Sequence, residues 1–183
     1  MKDDQLLIER TLKGDMQAFR WLITRNQHLV SRVVGRIIQN EDEMEEVCQD
    51  VFLKAYDKLA TFRGVSKFST WLVSIAYHMS LNHAKKKKRP QVSIDEVHSR
   101  GATERGADDV MELDDLKTTL ENALRKLPEA QRNVITLFHL EEMTYEEVAE
   151  ITGMPIGTVK NYLFRGRNQL KEILKVLKNN EVI

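Results

Sequence analysis

The sequence has little to brace it covalently. Its 183 residues include one cysteine, Cys48, so no internal disulfide can form and the chain fits a reducing compartment. Three prolines and eight glycines are too few for a fibrous or low-complexity protein. No uninterrupted apolar run approaches the roughly 18 residues of a membrane-spanning helix. Met1-Lys2-Asp3-Asp4-Gln5 offers no apolar signal core, so secretion is not expected and a cytoplasmic protein is. Net charge is also missing, because 28 Lys and Arg balance 28 Asp and Glu. Hydrophobic residues make up 42% and charged residues 31%, which predicts modest cores under a wide charged surface. At about 100–200 residues per domain, this is one ordinary domain or two small ones.

The zero total conceals an uneven distribution. Residues 1–90 hold 16 basic and 11 acidic side chains, a net of +5. Residues 91–112 hold 2 and 6, and residues 113–183 hold 10 and 11. Within the last part, residues 158–178 carry six basic groups and one acid. Two basic stretches separated by acidic ones keep nucleic acid open as a partner, since local fields guide association more than the sum does.

Apolar residues recur at three- and four-residue steps through residues 1–90, and strict alternation is absent, which predicts an all-α bundle. Leu6, Leu7, Arg10 and Leu12 begin a first helix that Gly14-Asp15 interrupts. A helix over about 41–60 turns Met44, Val47, Cys48, Val51, Phe52, Ala55 and Leu59 inward. Another, from about Phe68 to Lys87, turns Phe68, Trp71, Leu72, Ile75, Ala76 and Met79 inward. Residues 91–112 lose the periodicity and gain acids and two glycines, as a flexible linker does. Helices return at about 113–126, 128–140, 144–152 and 155–178. Two small helical domains, 1–90 and 113–183, are therefore expected around the linker.

The clearest local pattern lies in the second of these. Thr144 with Glu147 three residues on is a capping box, Gly153 stands where a helix must end with positive φ, and Pro155 can start the next helix. Val159, Tyr162 or Leu163, Gly166 and Leu170 continue inward. This is a helix-turn-helix, whose second helix can enter a major groove. That helix would expose Thr158, Lys160, Asn161, Phe164, Arg165 and Arg167. Arg and Lys pair with guanine acceptors, and Asn with adenine. Gly166 in mid-helix costs about 1 kcal/mol against Ala, which points to a close approach.

Two surfaces of the first domain stand out. Residues 41–50 hold six acids and no base. This is either a solvated face or a docking surface for a basic partner. The helix from 68 onward carries Trp71, Tyr77, His78, Asn82 and His83, then Lys85, Lys86, Lys87, Lys88 and Arg89, with Arg63 and Lys67 in the loop ahead. Rings that stack on bases and cations that follow phosphates suit single-stranded nucleic acid. Trp71 lies on the apolar face and also reads as core, whereas Tyr77 and His78 are expected to be exposed. Part of the lysine run also suits a helix C-terminus. Cys48 reads as a small buried apolar residue rather than a redox switch.

Taken in order, these motifs resemble a known family. Glu45-Glu46-Val47-Cys48-Gln49-Asp50-Val51-Phe52 resembles the core-binding helix of bacterial sigma factors. Phe62-Arg63 and Phe68-Ser69-Thr70-Trp71 resemble their promoter-melting region, and Leu127-Pro128-Glu129 with the helix-turn-helix resembles region four. Two helical domains with no third between them resemble the extracytoplasmic-function (ECF) group.

The resemblance implies a non-enzymatic factor, without a metal or cofactor, that directs RNA polymerase to promoters. Glu46, Gln49, Asp50 and Leu53 would dock on the β′ coiled coil of core polymerase. Arg63, Lys67, Trp71, Tyr77, His78, Asn82, Lys85 and Lys86 would bind and open the minus-ten element. Thr158, Lys160, Asn161, Phe164, Arg165 and Arg167 would read the minus-thirty-five element, and outer residues of region four would touch the β flap. An anti-sigma partner is implied too, with no direct membrane insertion of this chain. Against the common pattern, Glu46 stands for Asp, Cys48 for an aliphatic residue, His78 for Asn and Gly166 for Ala. Other readings are a helix-turn-helix regulator with a sensor bundle, or a helical metalloenzyme using His28, His78, His83, His98 and His139.

Overall fold

The computed structural model describes residues 2–88 and 118–180. The expected linker 91–112, and residues 113–117 of the helix expected after it, lie outside the described residues. Every regular element among the described residues is helical.

The first bundle contains α1 (Lys2–Leu12), α2 (Met16–Gly35), α3 (Glu41–Lys58) with a 3-10 turn at Leu59–Thr61, and α4 (Phe68–Lys88). Its breaks have local causes. Gly14 takes φ +94, and the Asp15 carboxylate then accepts hydrogen bonds from the Gln17 and Ala18 N–H groups to cap α2. Asn40 caps α3 through the Glu43 N–H. Gly64 at φ +68 turns the loop into α4. In α1, Leu6 and Leu12 are exposed while Leu7 and Ile8 are buried.

The second bundle contains α5 (118–125), α6 (Glu129–Ile135), a π-helical continuation at Thr136–Leu140, α7 (Tyr145–Thr152) and α8 (Ile156–Asn180). The helix expected over 128–140 is thus α-helical for one half and π-helical for the other. The capping box at Thr144 and Glu147 is formed, and Gly153 ends α7 at φ +70. Pro155 precedes the first helical residue, and its carbonyl accepts the Val159 N–H.

The buried apolar side chains of both bundles form one connected cluster. Helix α4 lies between them. Phe68, Leu72 and Ala76 are buried, and so are Thr70, Val73 and Tyr77 at the next helical offsets. Leu72 in α4 and Leu163 in α8 are both wholly enclosed. Each such burial contributes about 1.5–3 kcal/mol.

Candidate nucleic-acid interface

The acidic face of α3 is open. Glu46, Gln49, Asp50 and Leu53 are all exposed, and Leu53, an apolar side chain, remains 65% accessible. Gln49 donates to Glu45 one turn back, at 3.3 Å. Glu43, also on α3, is half-buried and tied to α4. Its carboxylate pairs with Lys87 Nζ and with His83 Nε2 at 3.0 Å, and Lys87 first, then His83, holds its pKa below the ordinary carboxylate value. Within the expected lysine run, Lys87 is therefore anchored while Lys85 and Lys86 extend into solvent. Cys48 is half-buried, and burial followed by the nearby Glu45 charge pushes its thiol pKa up. Such a thiol is poorly reactive.

The residues expected to meet an opened strand divide into three sets. Arg63, His78, Asn82, Lys85 and Lys86 are exposed. His78 Nδ1 lies 2.8 Å from the Ser74 carbonyl, which only accepts, so that nitrogen carries the proton and Nε2 points outward as an acceptor in the neutral ring. Trp71 is half-buried and ringed by Phe62 and Phe68, at centroid distances of 5.4 and 5.6 Å, so it serves as wall as much as surface.

Lys67 and Tyr77 are engaged by the second bundle. Lys67 Nζ pairs with Glu147 at 2.9 Å. Tyr77 corrects an expectation: it is 4% accessible rather than exposed, and its hydroxyl accepts from Asn133 Nδ2 at 3.2 Å. Burial pushes its phenol pKa up. The physical reason is that α4 is packed on two sides, which its own periodicity does not disclose.

The second bundle keeps its helix-turn-helix surface free. On α8, Lys160, Asn161, Phe164, Arg165 and Arg167 are exposed and Thr158 is half-buried. Phe164 is 67% accessible. Val159 and Leu163 form the buried seam. Gly166 lies against α6, where an added Cβ would come 2.6 Å from Ile135 Cδ1, so the expected close approach is to a side chain.

Two of the cations are tied back. Lys160 Nζ lies 5.4 Å from the Tyr145 ring centre. Arg167 stacks over Phe138 at 5.6 Å, and its Nε donates to His139 Nε2 at 2.9 Å. Burial, then the Arg167 charge, lowers the His139 pKa. Sequence reasoning missed His139 in this role because the π-helical turn that presents it has no sequence signal.

Comparison with known proteins accounts for this arrangement. Residues 22–90 match the family described as sigma-70 region 2, and residues 117–170 match sigma-70 region 4. The ECF RNA polymerase sigma-E factor of Escherichia coli (strain K12) is 36% identical over 176 residues, covering 91% of this chain and 92% of that protein. The chain belongs to the ECF group of the sigma-70 family. It is also 32% identical to the RNA polymerase sigma-H factor of Pseudomonas aeruginosa, across 96% of each. Among solved structures, RpoE in complex with the anti-sigma factor NepR from Bartonella quintana superposes with a TM-score of 0.68 at 26% identity, over 86% of this chain and 97% of that one. CnrH in complex with the cytosolic domain of CnrY shares the fold, with a TM-score of 0.70 at 22% identity over 95% and 98%.

As a sigma factor of this group, the chain binds core RNA polymerase, directs it to promoters and promotes strand opening for initiation. It is not an enzyme; nucleotide chemistry belongs to the polymerase. No helix among the described residues is long and apolar enough to cross a membrane. Region two hereafter denotes the bundle α1–α4, and region four the bundle α5–α8.

Proposed function

We propose that the sigma activity is divided among three faces of this chain. Glu46, Gln49, Asp50 and Leu53 on α3 dock on the β′ coiled coil. An apolar side chain amid acids suits a basic, amphipathic partner, since burial of Leu53 supplies affinity and the carboxylates supply orientation. Arg63, Lys67, Trp71, Tyr77, His78, Asn82, Lys85 and Lys86 hold the opened minus-ten strand by stacking and phosphate pairing. Thr158, Lys160, Asn161, Phe164, Arg165 and Arg167 read the minus-thirty-five duplex. Of these, Asn161 and Arg165 are the base readers, while Lys160 and Arg167, tied to aromatic rings, hold phosphates.

A groove of about 580 Å³, lined by Leu120, Leu124, Ile135, Leu140, Leu170 and Leu174, is the apolar contact for the β flap. Region boundaries of 1–90 and 113–183 fit this division. The working compartment is the cytoplasm. An anti-sigma factor controls the chain, as one is bound to RpoE of Bartonella quintana.

The observation that carries this reading is the α3 face, where Glu46, Asp50 and Leu53 have no side-chain partner among the described residues. Its test is Asp50→Lys. The variant should keep its helical circular dichroism and lose co-elution with core polymerase. Co-elution at the wild-type level removes the docking assignment.

A further inference from the structure

A concavity of about 370 Å³ lies where the end of α2 meets α5 and α6. None of its charged residues belongs to the faces assigned above to polymerase or promoter. Three guanidinium groups from three different elements line it: Arg36 at the C-cap of α2, Arg125 on α5 and Arg132 on α6. One carboxylate shares the lining, and Glu121 Oε1 lies 3.2 Å from Arg36 Nη1. Arg125 Nη2 donates to a neutral group, the Gln39 side-chain oxygen, at 2.5 Å.

Gathering like charges in a concavity is costly, because walls of low dielectric strengthen their repulsion. The carbonyl end of α2 counts as about half a negative charge, which still leaves an excess of about one and a half positive charges. The chain as a whole is neutral, so the excess belongs to this place.

We propose that this concavity binds a diphosphate, free or carried on a nucleoside, between Arg36, Arg125 and Arg132. The chemistry of the walls sets that class. A guanidinium presents a planar fork of donors that matches phosphate oxygens two at a time. Three forks exceed what one phosphate can satisfy, and they suit two. Glu121 already places an anionic oxygen against Arg36, and a phosphate oxygen fits there once that carboxylate turns aside. The Glu121 side chain is 39% accessible, so water is within its reach.

The rest of the wall is uncharged. Ile37 and Leu124 supply apolar surface and Thr136 a hydroxyl, which suit the base and sugar of a nucleoside. The volume falls within the roughly 300–1,000 Å³ of small-ligand sites. Because the walls come from both regions, a bound diphosphate ties the end of α2 to α5 and α6. Whatever holds those elements together favours the ligand in return.

The test titrates the full-length, isotope-labelled chain with GDP, ADP and inorganic pyrophosphate, without magnesium. Saturable shifts should appear at the backbone amides of Ile37, Leu124 and Thr136. Tighter binding of a nucleoside diphosphate than of pyrophosphate identifies the nucleoside-borne ligand. Equal affinities identify the free diphosphate, and either result supports the site. Arg125→Gln/Arg132→Gln should weaken binding about tenfold or more, the loss expected for hydrogen bonds to a charged group. Glu121→Gln should do the opposite and tighten it, because a competing carboxylate is gone.

Lys54→Gln/Lys58→Gln removes the same charge from exposed lysines of α3 and should change nothing. Dissociation constants above about 1 mM for all three probes in the parent chain overturn the proposal. So does equal weakening by the arginine pair and the lysine pair. If the arginine pair unfolds the chain by circular dichroism, Glu121→Gln decides alone, and binding that it leaves unchanged or weakens overturns the proposal too.

Discussion

Helices α4 and α8 are the two elements proposed to meet a promoter, and the fold treats them differently. Helix α8 buries one stripe, Val159, Leu163 and Gly166, and leaves the opposite face to solvent. Helix α4 buries residues on two sides, Leu72 and Ala76 against its own bundle and Thr70 and Tyr77 against region four. A duplex reader can be displayed at all times, because reading base edges needs no rearrangement of the protein. A face that captures flipped or unpaired bases carries exposed rings and cations, which would also hold any stray single strand.

The largest effects should come from the cores. Leu163→Ala opens a cavity in a fully buried site and should cost region four about 2–5 kcal/mol. Both tryptophans, Trp21 and Trp71, lie in region two. If the stretch of apolar cluster that the two bundles share adds little to the stability of either, the fluorescence transition in urea should stay within about 0.5 kcal/mol of wild type. The circular dichroism transition should meanwhile split. A fluorescence transition that moves fully with Leu163→Ala would mean that the halves unfold as one, and that the comparison between α4 and α8 has been drawn too sharply.

Next in size is Arg165→Ala, which removes a cation from the free face of α8. It should weaken recognition of a minus-thirty-five duplex by holoenzyme by about 1–3 kcal/mol and relax sequence preference at one position. Unchanged promoter selection removes Arg165 from the reader.

The same contrast sets what the sequence makes legible. The helix-turn-helix was readable in detail because its signals are local. The Thr144–Glu147 box, the positive φ at Gly153 and the one-sided stripe of α8 each depend on residues within a few positions. Exposure of the α3 face was readable for the same reason. The state of α4 was not, because what covers it comes from about seventy residues further along. Tyr77 looks like a surface ring until Asn133 is placed over its hydroxyl. Glu43 looks like part of a docking face until His83 and Lys87 reach back to it. One signal was available: the five glutamates from Glu141 to Glu150 are a base-free run beside a helix meant for DNA, which calls for a cationic neighbour. The π-helical turn at Thr136–Leu140 had none, since its sequence continues the apolar spacing of α6.

The smallest expected effect separates the ways in which α8 and α4 hold their cations. Arg167 is tied within its own region, by the Phe138 ring and by His139, whereas Lys67 is tied across regions. The His139 ring must be neutral at Nε2 to accept the Arg167 N–H. Burial and the Arg167 charge lower its pKa in the folded chain, so the unfolded chain binds the proton more readily. The stabilising contact is therefore complete above the unfolded value, about 6.5, and is lost as pH falls through the lower folded one. Arg167→Ala should cost about 0.5–1 kcal/mol of region-four stability at pH 7.5, and less at pH 5. The His139 ring resonances should titrate below pH 6.5 in the parent and closer to it in the variant. A His139 midpoint that ignores the loss of Arg167 would show that the two do not share the hydrogen bond. Arg167 would then be as free to meet DNA as Arg165 is.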